Sequence, residues 1–200
     1  MTRRSETRIV YFGSDVKSWV EAPPSVSAAR PSRCPCCGAA GAPVGESLGL
    51  HGHGVRDRVV LGPARRLERP ASHRVLARRY ACQRCGAVVV VAPAGVLPRV
   101  RYGAVAIALS LGLWSVVAEP GWRVREQVSP LGSAGNERLH GWRCLQRWAR
   151  RASTLWRFVR AGPAAAAACA ALEITRQLAA RAPMPTGQLV VDACEGALLS

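Results

Sequence analysis

Lysine is almost missing from this chain: of its 28 basic residues, only Lys17 is not an arginine. Carboxylates are scarce as well, with 12 Asp and Glu in 200 residues, and the net charge is +16. A GC-rich genome explains Arg and Ala in place of Lys, but it does not explain the missing acids. An unbalanced basic surface of this kind points to a polyanion, first the phosphates of nucleic acid and second an anionic membrane. No apolar run reaches the roughly 20 residues of a membrane span. The longest, Gly103 to Ala118, contains Gly112 and two serines, lies between Arg101 and Glu119, and reads as a buried helix, so a membrane location is disfavoured. The first eight residues are charged and hold no apolar signal core. A cytoplasmic, reducing compartment is therefore expected, in which Cys144, Cys169 and Cys194 stay free thiols. No Ser/His/Asp set, phosphate-cradling Gly loop or carboxylate pair is visible, so no enzyme is expected. No internal repeat is evident.

What the sequence does have is a repeated turn. Cys34-Pro35-Cys36-Cys37-Gly38 and Cys82-Gln83-Arg84-Cys85-Gly86 are two copies of C-x-x-C-G. A C-x-x-C loop closed by Gly aims two sulfurs at one point, and two such loops supply the four-thiolate tetrahedron of a structural Zn²⁺. Cys34, Cys37, Cys82 and Cys85 are the expected ligands, because only the Cys34 and Cys37 pair reproduces the spacing and trailing Gly of the second turn. A rubredoxin-type iron centre uses the same sulfurs, and a pair of disulfides is the plain competitor. A closed four-sulfur shell has no position left for substrate, which makes the site a staple for the fold. His51 and His53, on the outgoing strand, and His73, in a loop, are read as polar or phosphate-facing with four cysteines at hand.

The expected architecture is α+β, a small β zinc ribbon followed by a helical, helix-turn-helix-like domain. Residues 1–33 combine a β-prone run, Arg8 to Phe12, with a Pro/Ser/Ala tail and read as a flexible lead-in. Residues 34–98 form the ribbon, with strands at Leu48 to Leu61 and Arg74 to Val91 and a loop at Gly62 to Ser72. The apolar run Ala87 to Val91 continues as strand until Pro93 stops it. Residues 99–160 are helical: Tyr102 to Ala118, ended by Glu119-Pro120-Gly121, then Trp122 to Val128, a turn, and Leu139 to Arg160. Residues 161–200 hold an Ala-rich helix from Pro163 towards Arg181 and a short strand, Leu189 to Ala193.

Two groups of arginines are the candidate nucleic-acid contacts. In Leu139 to Arg160 the apolar residues Trp142, Leu145, Trp148, Ala149, Ala152, Leu155, Trp156 and Val159 recur every three or four positions, while Arg143, Arg147, Arg150, Arg151 and Arg157 fall on the opposite arc. Unpaired like charges on one helix face repel unless a polyanion neutralises them. Arg74, Arg78 and Arg79, with Arg84, lie along the ribbon, either beside a sugar-phosphate path or as a solvated edge that keeps the strand from pairing.

The order Cys34-Pro35-x-Cys37-Gly38, His51-Gly52 with Arg56, Arg79-Tyr80-x-Cys82-x-x-Cys85-Gly86, then Leu97-Pro98 and Arg101-Tyr102 resembles the N-terminal zinc-ribbon and helix-turn-helix region of bacterial insertion-element transposases, and small bacterial proteins related to it, over about residues 34–160. The resemblance implies recognition of double-stranded DNA; self-association is left open. Such transposases place a carboxylate-based, Mg²⁺-dependent nuclease further along, and Leu189-Val190-Val191-Asp192 looks like the strand that carries its first Asp. One carboxylate cannot hold two metals, so DNA binding without catalysis is expected. The alternative is a zinc-ribbon module that docks on a protein or RNA.

Overall fold

The computed structural model describes residues 7–132, 141–159 and 166–199. It is α+β, with a four-stranded sheet and six helices among the described residues. The strands are β1 (Thr7–Asp15), β2 (Leu50–Gly62), β3 (Ala71–Cys82) and β4 (Val88–Ala94), in the order β1-β4-β3-β2. Helix α1 (Val16–Glu21) follows β1; α2 (Ala104–Ser115), α3 (Gly121–Val128), α4 (Arg143–Leu155), α5 (Ala167–Ala179) and α6 (Leu189–Gly196) follow the sheet. Contacts divide the chain into two units, residues 1–59 with 74–94 and residues 60–73 with 95–200, so the division falls inside β2 and β3.

In the first unit, β4 is an inner strand, parallel to β1 and antiparallel to β3. Its run of valines suits a strand flanked on both sides, and Val89, Val90, Val91 and Ala92 are all buried. Pro93 does not end the strand: it pairs with Phe12 where the β1 register shifts, a place that tolerates a missing N–H.

Residues 7–33 are not a flexible lead-in. Half-buried Ile9, Val10, Tyr11 and Phe12 lie in β1, which runs beside β4. Asp15 then caps α1 by accepting the Ser18 N–H at 2.8 Å. Trp19 is fully buried, meets Phe12 edge-on at 5.6 Å and donates Nε1–H to the Leu76 carbonyl. The Pro/Ser stretch beyond it is held through its own carbonyls: Pro24 accepts from Arg78 and Val26 from the Tyr80 hydroxyl. Composition suggested disorder here because these ties come from residues more than fifty positions away.

The second unit is built on α2. This helix is apolar on every side, and Ala104 to Ala108, Ser110, Leu111 and Gly112 are buried. It packs against α3, α4, α5 and α6. Its one fully buried hydroxyl, Ser110, is satisfied by the Ala106 carbonyl at 2.6 Å. Gly112 lets α6 approach, since a Cβ there would press on the Val190 methyls at 2.9 Å. No helix among the described residues is long and apolar enough to cross a membrane. The expected strand over Leu189 to Ala193 is instead the start of α6: its β-branched valines are outweighed by the packing of this segment against α2 and α5.

Candidate metal centre and arginine faces

Each C-x-x-C-G segment is the turn of a small antiparallel hairpin. The second joins β3 to β4, where Ala81 pairs with Val88, and the first is closed by the bridge between Arg33 and Ala40. The two turns match bond for bond. Cys34 N–H donates to Ala39 O at 2.8 Å and Cys82 N–H to Ala87 O at 3.0 Å; Gly38 and Gly86 N–H donate to Cys34 O and Cys82 O, both at 2.9 Å. Gly38 and Gly86 have φ of +72° and +71°, a region costly for residues with a Cβ, which explains the trailing Gly of each copy.

The consequence is that Cys34, Cys37, Cys82 and Cys85 converge, with all four Sγ atoms within 4.8 Å of one another. Cys34 and Cys85 sulfurs are 3.8 Å apart, and Cys37 and Cys82 sulfurs 3.7 Å. A tetrahedron of thiolates bonded at about 2.3 Å to a central ion has edges of about 3.8 Å, so the donor set fits a metal. These separations are far too long for disulfides, whose sulfurs lie about 2.05 Å apart. Burial opposes ionisation of Cys82, but the N–H groups of Cys85 and Arg84 and the Cys34 and Cys85 thiols hydrogen-bond to its sulfur and hold it at about 7. Cys85 is favoured as a thiolate by the Ala87 N–H, yet burial and three neighbouring thiols push it up to about 12. Four sulfurs this close cannot all ionise without a cation among them.

Cys36 is exposed and takes no part in the group. His51 and His53 are exposed on β2 and are also outside it. His73 donates Nε2–H to the Gly62 carbonyl at 3.1 Å.

The arginines expected to meet nucleic acid separate into two sets. On β3, Arg74 forms an ion pair with Asp57 at 2.6 Å and its Nε–H donates to the same oxygen; that hydrogen bond raises its already high pKa. Arg78 donates Nε–H and Nη2–H to Pro24 O at 3.1 and 2.8 Å, and Arg79 is half-buried. Asp57 lies seventeen residues from Arg74, and nothing in the local pattern signals that pairing. On α4, by contrast, Arg143, Arg147, Arg150 and Arg151 are exposed while Leu145, Trp148, Ala149, Ala152 and Leu155 are buried. Arg157, just beyond the helix, is exposed too. Arg150 bonds Gln146 at 3.2 Å, and among the described residues Arg143, Arg147, Arg151 and Arg157 have no carboxylate partner. Residues 129–142 separate α3 from α4, more than the three or four of a compact helix-turn-helix; 133–140 of them, with 139, 140 and 160 of the expected long helix, lie outside the described residues.

Asp192 is not at a strand end. It is buried in α6 and accepts the Thr186 N–H at 2.8 Å, the Thr186 hydroxyl at 2.7 Å and the Gly187 N–H at 3.1 Å. Those bonds, Thr186 first, hold its carboxyl below the usual range with added help from Arg66. Its oxygens are committed to closing the loop ahead of α6.

Comparison with protein-family models, with curated proteins and with solved structures finds no match for this chain.

Proposed function

We propose that this chain is a zinc-braced protein that binds double-stranded DNA without catalysis of its own, related to the ribbon and helical region of transposases. The four-sulfur cluster supports zinc as a structural ion: the donor set is all thiolate and closed, which suits Zn²⁺ and leaves no position for chemistry. The observation that carries DNA binding is the α4 face, four exposed arginines at i, i+4, i+7 and i+8 with an apolar back. Like charges in that spacing destabilise a helix by a few tenths of a kcal/mol per pair unless an anion lies across them. Phosphates spaced along a duplex provide that anion, and α4 is the element that would lie on the backbone or in the major groove, in the manner of a helix-turn-helix.

The test is a salt titration of duplex binding by the metal-loaded chain. Four phosphate contacts give a slope of log K against log salt of about −4, and Arg147→Ala or Arg151→Ala each reduces it by about 1. A slope near zero, or binding that needs a protein partner, selects an interaction module in place of a DNA-binding protein.

A further inference from the structure

The first unit also holds a cleft of about 280 Å³, lined by Val26, Gly52, Gly54, Val55, Arg78, Arg79 and Tyr80. This is just under the roughly 300 Å³ at which small-molecule pockets begin, room for one flat group. Its two glycines differ: Gly54 faces open space, whereas the space over Gly52 is taken by Val26. Gly54 has φ +82°, and a Cβ there would meet nothing, so packing does not demand the open space beside it. At Gly52 a Cβ would press on Val26 Cγ1 at 3.0 Å. Val26 and Val55 are 43% and 45% exposed, apolar surface without a cover among the described residues.

The charge of the lining is one-sided: two arginines and no carboxylate. Arg78 is fixed in place by its two bonds to Pro24 O, so its guanidinium costs little further entropy when it meets an anion. An apolar slot beside the pre-set Arg78 guanidinium suits a ring that carries a phosphate. Bases that are paired inside a duplex cannot enter it, but an unpaired base stacks on apolar side chains and arginine planes.

We propose that this cleft seats one unpaired nucleotide of a nucleic acid, with its base against Val26 and Val55 beside Gly54 and its phosphate beside Arg78. This rests on the nucleic-acid reading above and adds a preference for sites where a duplex opens or ends in a single strand.

The experiment is fluorescence anisotropy with the metal-loaded full chain, comparing a blunt duplex with the same duplex carrying a short single-stranded extension. The extension is expected to tighten binding about tenfold, the scale of one hydrogen bond to a charged group. Val26→Glu and Val55→Glu, at exposed positions, set a carboxylate where the phosphate would lie and remove that gain while the blunt duplex, held at α4, loses little; unchanged metal content shows that the fold survives. Arg147→Ala on α4 lowers affinity for both probes by the same factor. Equal affinity of the unsubstituted chain for the two probes, or a gain that survives both substitutions, overturns the proposal. If the extended probe binds and the blunt one does not, the duplex reading fails and the cleft stands.

Discussion

The two units solve the burial problem differently. In the second, a continuous apolar cluster runs through α2 to α6 and includes Ile107, Leu111, Trp148, Trp156, Ile174 and Leu178. In the first, β2 is exposed from His51 to Asp57, and much of the cohesion is polar: carbonyls of Pro24, Val26 and Leu50 tied to Arg78, Tyr80 and Arg30, and four sulfurs drawn together. Its apolar core, built on Trp19, Leu50, Val75, Tyr80 and the β4 valines, is the smaller of the two, and small cores are where folds add a metal or a disulfide. The lesson is that the cysteine turns stand where apolar burial is weakest, and the helical unit can carry its charged face on a core that needs no staple.

Removing the metal should break the symmetry most strongly. A chelator, or Cys34→Ser, is expected to unfold the first unit, because structural zinc binding is on the order of 10 kcal/mol of folding free energy. Circular dichroism should then show the sheet lost and the helical signal kept; loss of both in one transition would mean that the units are not independent in stability. A core deletion in the other unit should do the reverse. Trp156 is fully buried and donates Nε1–H to Ala197 O at 3.2 Å, so Trp156→Ala should cost about 3 to 5 kcal/mol in the helical transition while metal stoichiometry stays unchanged. Metal loss in that variant would contradict the separation.

The smallest effect is on pH. Because the folded chain holds the Asp192 carboxyl below its ordinary value, the stability it supplies is present above the usual Asp range near 3.9 and is lost as pH falls through that range towards the depressed folded value. Asp192→Asn should therefore be less stable at neutral pH, and the gap from the unsubstituted protein should close on acidification, read from the helical melting transition. A gap that is constant with pH would show that the carboxylate charge does not matter there.

Local patterns were legible in the sequence and distant partners were not. The C-x-x-C-G turns and the α4 periodicity are set within a few residues, by a left-handed glycine in one case and the 3.6-residue repeat in the other; the turns are where they were expected, and α4 lies inside the expected span but stops at Leu155, short of Arg160. The parallel pairing of β1 with β4 joins residues some eighty positions apart, so Arg8 to Phe12 reads only as a stray β-prone run. Asp57 took Arg74, and Pro24 took Arg78, by contacts of the same long-range kind. At Leu189 to Ala193 the valines argue for a strand, and packing on α2 and α5 makes them helical.

X-ray absorption at the zinc edge, on protein purified without added metal, tests the metal centre most directly. One zinc per chain with four sulfur neighbours at about 2.3 Å is the expected result. A chain without metal, or an ion with nitrogen or oxygen in its shell, would contradict closure of Cys34, Cys37, Cys82 and Cys85 around a single zinc.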